Sequence, residues 1–146
     1  MPSVAGRVED SLRYGPRDTA QMPILIDGTV FIDVMRGHEA AVDYLVSARR
    51  LDTLLSITPV RTEVLGGVRD GEVRGVFSIL RLIQWLDVTV ELADVAAALT
   101  RRHRAAHGGI DIVDYLLAAA ALEVGATVAT SNVRDFPMFP ELQPPY

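Results

Sequence analysis

The stretch Asp111-Ile112-Val113-Asp114-Tyr115-Leu116-Leu117-Ala118-Ala119-Ala120-Ala121-Leu122-Glu123-Val124-Gly125-Ala126-Thr127-Val128-Ala129-Thr130 reads as a helix, a stop and a strand. Its run from Tyr115 to Leu122 is nearly all apolar, so the helix predicted over 111–123 is apolar on almost every face and must be buried. Gly125 can take the backbone conformation that ends a helix, and 127–130 then forms a short strand. An acid, Asp114, opens the buried helix, and the polar trio Thr130-Ser131-Asn132 follows the strand.

Working outward, the same alternation runs through the chain. Residues 24–27 read as a buried strand, 29–36 as a helix that breaks near Gly37, and 39–50 as a second helix. A second strand over 54–57 leads to Thr58, predicted to cap a helix that has Pro59 at its first position, where the missing N–H costs nothing. Gly66-Gly67 weakens that helix and Asp70-Gly71 ends or kinks it. Val73, Val76, Phe77, Leu80 and Ile83 fall on one stripe and predict a helix over 72–85. A third strand over 86–88 and a helix over 92–106 follow, closed by a turn at Gly108-Gly109. The proline-rich tail over 137–146 is at best a short edge strand. Strands alternating with helices imply an α/β fold, with a central, mainly parallel sheet flanked by helices on both faces. Ligands of such sheets gather outside the carboxyl ends of the strands, where Asp27 and Thr130-Ser131-Asn132 fall. Residues 1–22 differ: they are polar, contain Pro2 and Pro16, and show no sustained period. They are expected to form an N-terminal arm, either a flexible extension or a docking helix, ahead of a domain over 23–146, with Met22 as an alternative start.

Composition removes whole classes of chemistry. With 146 residues, 49% of them hydrophobic, the chain suffices for one domain with a sizeable core. It has no cysteine, which excludes disulfides, zinc thiolate sites and cysteine nucleophiles. All 14 basic residues are arginine, so Schiff bases and lysine phosphate clamps are excluded as well. A net charge of −5 argues against holding nucleic acid by bulk positive charge alone. No secretory leader and no long uncharged apolar run is visible, so a cytoplasmic location without membrane attachment is expected.

Four acids stand where apolar segments end or turn: Asp27, Glu63, Asp114 and Asp135. A carboxylate beside a core is costly unless positive charge compensates it, and converging carboxylates repel one another unless a divalent cation joins them. Each also has a plainer reading. Asp27 could be a turn former or helix cap ahead of Gly28-Thr29, and Asp114 could complete a capping box begun by Asp111. Glu63 could be a solvated helix residue, and Asp135 a turn acid paired with Arg134. Asp33 and Asp111 read first as helix or cap residues. His38, His103 and His107 do not form a metal-ligand spacing, and Trp85 reads as core. Arg101-Arg102-His103-Arg104 complements a helix C-terminus or meets phosphates near the acids.

Four segments in order resemble a PIN domain, more narrowly the toxin ribonuclease of bacterial VapBC toxin–antitoxin pairs. They are residues 24–37, Thr62-Glu63-Val64, residues 111–121 and residues 127–136. The resemblance covers about 23–146 and implies a three-layer PIN-like fold. It also implies a metal-dependent endoribonuclease that hydrolyses RNA phosphodiester bonds by metal-activated water, with Mg²⁺ as cofactor and Mn²⁺ as a substitute. A VapB-like antitoxin is the implied partner, along with a homodimer and a heterotetramer or larger assembly with the antitoxin. Family roles carry to Asp27, Glu63, Asp114 and Asp135 as catalytic acids, with Asp27 and Asp114 as principal metal ligands; the fourth position falls around Asn132 and Asp135. Gly28 departs from the family, which usually has Thr or Ser there.

Two other functions fit part of this pattern. A non-catalytic interaction domain could keep the fold without the chemistry. A haloacid-dehalogenase-like phosphatase shares half its Asp-x-Asp-Gly-Thr motif with Asp27-Gly28-Thr29, but its nucleophile would fall on Leu25 and its lysine is absent.

Overall fold

The computed structural model describes residues 22–146 and Val4; the rest of the predicted arm over 1–22 lies outside the described residues. The elements, in chain order, are β1 (Pro23–Ile26), α1 (Gly28–Met35), α2 (Glu39–Leu51), β2 (Thr53–Ile57), α3 (Thr58–Gly66), α4 (Val73–Leu80), β3 (Gln84–Leu86), α5 (Val90–His103), α6 (Ile112–Val124) and β4 (Thr127–Ala129). Short 3₁₀ turns occupy Asp70–Glu72 and Val133–Asp135.

The four strands form one parallel sheet in the order β3-β2-β1-β4. β1 is central, with Leu25 opposite Leu55 on one side and Val128 on the other. Strands covered on both faces read as continuous apolar runs, and Leu25, Ile26, Leu54, Leu55 and Ile57 are all buried. The chain steps one way from β1 to β2 to β3, then returns across the sheet to β4. Right-handed crossovers therefore place α1–α4 on one face and α5–α6 on the other, giving three layers. Accordingly α2 and α3 pack on β2, while α6 packs on β1, β2 and β4. The direction of travel reverses between β1 and β4, and crevices open at such switch points.

Most local readings hold, with shifted ends. Ile57, not Thr58, is the extended residue before α3; Thr58 is already helical and makes no side-chain cap. α5 starts earlier than expected because Thr89 caps it, its hydroxyl accepting the Leu92 N–H at 3.1 Å. The single helix expected over 72–85 is absent. α4 ends at Leu80, and the chain turns through Leu82 N–H to Ile79 O and Ile83 N–H to Leu80 O. Residues 84–86 then pair with 55–57, so β3 begins two residues ahead of the expected strand. The Trp85 indole N–H donates to Leu80 O at 3.1 Å, closing the corner, and its ring stacks on Phe31 with centroids 5.9 Å apart. The tail forms no strand among the described residues; its Tyr146 hydroxyl donates to Asp33 Oδ2 at 2.6 Å. Among the described residues no helix is long and apolar enough to cross a membrane.

Candidate active site

The residue after β1 defines the crevice. Asp27 continues the ladder, its N–H donating to Ala129 O at 2.9 Å, and its side chain turns into the gap between β1 and β4. It is only 6% exposed, so its oxygens need partners. Oδ1 accepts the Gly28 N–H at 2.8 Å. Oδ2 accepts the Thr29 hydroxyl at 2.9 Å and the Thr130 hydroxyl at 2.7 Å. Asp27 is thus both the cap of α1 and the centre of a polar cluster.

The cluster extends along the turn after β4. Thr29 Oγ1 accepts the Ser131 N–H at 3.1 Å, and Thr130 Oγ1 accepts the Asn132 N–H at 3.0 Å. The Asn132 amide donates to Asp135 Oδ2 at 2.6 Å. The two candidates for the fourth position therefore work as a bonded pair, with Asn132 fixing one oxygen of Asp135.

Asp114 reaches the crevice from the first turn of α6. Partial burial, followed by the charges of Asp27 and Asp135, pushes its carboxyl from 3.8 up to about 7; the charge of Asp111 adds to this, and a hydrogen bond from the Asp111 backbone opposes it. That backbone bond is half of the predicted capping box. The other half is missing, because the Asp111 side chain makes no cap bond.

Glu63, on α3, is exposed as a whole residue, yet its carboxyl is also raised, first by burial, then by Asp111 and Asp27. The two facts agree once its reach is considered: Oε2 lies 3.8 Å from where a Cβ on Gly28 would stand, so the carboxylate leans over the start of α1. A side chain at position 28 would make only ordinary contacts there, and the hydroxyls that cradle Asp27 come instead from Thr29 and Thr130.

Two residues contribute more than their sequence pattern suggests. Asp111 reads as a cap, but its charge falls on both Glu63 and Asp114. Thr130 was placed at a strand end without a partner, and its bond to Asp27 spans 103 residues. By contrast, Asp33 is engaged by Tyr146. His103 and His107 lie with ring centroids 6.2 Å apart, and among the described residues no third ligand joins them.

The acids act on one another without closing into a cage: among the described residues no three carboxylates or imidazoles are grouped tightly enough to enclose an ion. The donor set nevertheless suits a hard cation. It offers only oxygens, one carboxylate is already immobilised, and every charge acting on Asp114 is negative.

A model of the PIN domain matches residues 24–141. Two curated relatives come from Mycobacterium tuberculosis. Ribonuclease VapC19 is 43% identical over 123 residues, covering 84% of this chain and 98% of the relative. Ribonuclease VapC10 is 43% identical over 124 residues, covering 84% and 92%. Among solved structures, a toxin–antitoxin complex from Klebsiella pneumoniae superposes with a TM-score of 0.71 at 19% identity, over 84% of this chain and 98% of that one. VapBC2 from Rickettsia felis, bound to a DNA fragment from its promoter, gives 0.70 at 18% identity, over 83% and 96%. At such identities these two structures speak for the fold, and the sequence relatives speak for the family. The chain belongs to the PIN domain family, and within it to the VapC-like ribonucleases.

Proposed function

We propose that this protein is an endoribonuclease toxin of a toxin–antitoxin pair, and that it hydrolyses RNA with Asp27, Glu63, Asp114 and Asp135. The observation that carries the site assignment is the carboxyl of Asp114, pushed up to about 7 by burial and surrounding acids. Such uncompensated carboxyls at a strand-end crevice are what a cation-dependent centre requires.

Asp27 and Asp114 would hold the cation, Mg²⁺ with Mn²⁺ as a substitute. When bound, it neutralises charge on the phosphate and acidifies water. The protein's own part is positional. Thr29 and Thr130 fix the Asp27 carboxylate, and Asn132 fixes that of Asp135. Glu63, with its raised proton affinity, accepts the proton of the attacking water. The antitoxin partner is supported by the relatives and by the toxin–antitoxin complexes that share the fold. A homodimer, joined by antitoxin into a heterotetramer or larger assembly, is the corresponding assembly.

The open spacing of the acids is the observation that favours a non-catalytic interaction domain. Calorimetric Mn²⁺ titration separates the two readings. The native chain is expected to bind with heat that Asp114→Asn abolishes, and Asp27→Asn and Asp114→Asn are expected to lower RNA cleavage at least 100-fold while remaining folded. Cleavage that survives either substitution would remove the assigned site.

A further inference from the structure

On the layer formed by α1–α4, a cavity of about 240 Å³ opens between the end of α1 and α4. Its walls include Met35 from α1, Gly71 from the turn before α4, Gly75, Val76 and Ile79 from α4, and Val4. Val76 and Ile79 belong to the buried core, and Val4 and Met35 pack against it half-buried. Val4 has helical backbone. A residue from far ahead of β1 therefore already lies in an apolar seat built by the folded domain. Gly75 lies inside α4, where glycine is a poorer helix former than alanine. A Cβ at Gly71 or Gly75 meets no atom of the described residues within 4 Å, so nothing among them requires either glycine. What the missing side chains provide is room for a second backbone to come close.

The segment that carries Val4 can supply that backbone. Val4, Val8 and Leu12 are four apart, too few to mark a helix by period yet enough to share one face of it. Gly15-Pro16 would stop such a helix, leaving residues 15–21, with a reach of about 25 Å, to return to β1. A helix over 4–14 is about 16 Å long against about 12 Å for α4, so the two match in length. We propose that residues 1–21 dock along α4 as a helix of the same chain. Val4 is its anchor against Met35, Val76 and Ile79, and Gly71 and Gly75 lie under the crossing. Val8 and Leu12 extend the apolar contact. Val4 reaches the seat within one chain, which favours this arm over that of a second copy. Any other chain that uses this face must first displace the arm, which is thus a built-in competitor for it. The inference goes beyond the ribonuclease reading and stands independently of it.

The test is cross-linking in the full chain, which has no cysteine of its own to interfere. Val4→Cys is paired with Gly71→Cys or with Gly75→Cys, and the control pairs it with Leu122→Cys, exposed on the opposite layer. At least one of the two groove pairs is expected to close a disulfide within one molecule about tenfold faster than the control. Amide exchange gives a second measurement. Val4→Asp should speed exchange over residues 76–80 about tenfold and leave β1 unchanged. Groove pairs that both oxidise at the control rate, in protein with native circular dichroism, overturn the docking. A disulfide found only between molecules also overturns it and gives the groove to a second copy. Exchange over 76–80 that Val4→Asp leaves unmoved overturns Val4 as the anchor.

Discussion

At the scale of single residues, Asp27 carries more bonds than a cap needs. Its Oδ2 takes two hydroxyls, from Thr29 and Thr130. Replacing Thr130 by Val keeps the shape and removes one donor from a buried carboxylate, which should cost about 1–3 kcal/mol in urea unfolding, with Thr130→Ser recovering most of it. An unchanged midpoint in the Val variant would show that the bond contributes nothing. Asp114 gives a pH prediction. Its folded-state carboxyl is raised from 3.8 to about 7, so its contribution to stability is complete below pH 3.8 and lost as pH rises through about 7. Glu63 has the same direction. In chelator, Asp114→Asn should therefore raise Tm more at pH 8 than at pH 5; equal gains would contradict the raised carboxyl. At this scale the sequence was legible where an acid interrupts apolar residues, as at Asp27 and Asp114. Glu63 was only weakly marked by its place at the turn of an apolar segment, because a carboxylate one turn into a helix has little local signature. Thr130 could not be paired with Asp27, since no periodicity reports a contact across 103 residues.

At the scale of elements, α6 shows how far local chemistry reaches. Gly125 ends it with φ +68°, and the Ala126 N–H returns to Ala121 O at 2.9 Å. A Cβ there meets no atom of the described residues within 4 Å, so Gly125→Ala should cost only the left-handed backbone penalty, about 1–2 kcal/mol, read as a lower Tm with native circular dichroism. A neutral result would mean that the backbone relaxes at that position. The same helix was predicted almost to the residue, since an apolar run between an acid and a glycine has one reading. The region after Asp70 was not. Val73, Val76, Leu80 and Ile83 continue one stripe past the end of α4, and a stripe cannot say where helix gives way to strand. What decides it is tertiary: residues 84–86 find the free edge of β2, and a three-residue edge strand leaves no alternation to detect.

At the scale of the whole molecule, the strand order 3-2-1-4 was beyond the sequence, although the placement of Asp27 and Thr130 at the carboxyl edge was not. β1 is paired on both sides and covered on both faces, whereas β3 is a short edge with Gln84 exposed. Amide hydrogen exchange should accordingly be slowest in β1 and β2, near the global unfolding limit, and at least 100-fold faster in β3. Uniform protection across the sheet would contradict that ranking.

The Thr130 hydroxyl that secures Asp27 arrives with β4, the last strand, and this sets a timetable for synthesis. Ribosomes extrude chains from the amino end, so Asp27 emerges 103 residues ahead of the hydroxyl that secures it. Until that later segment leaves the exit and docks beside β1, the nascent chain carries a buried-to-be carboxylate with one donor missing.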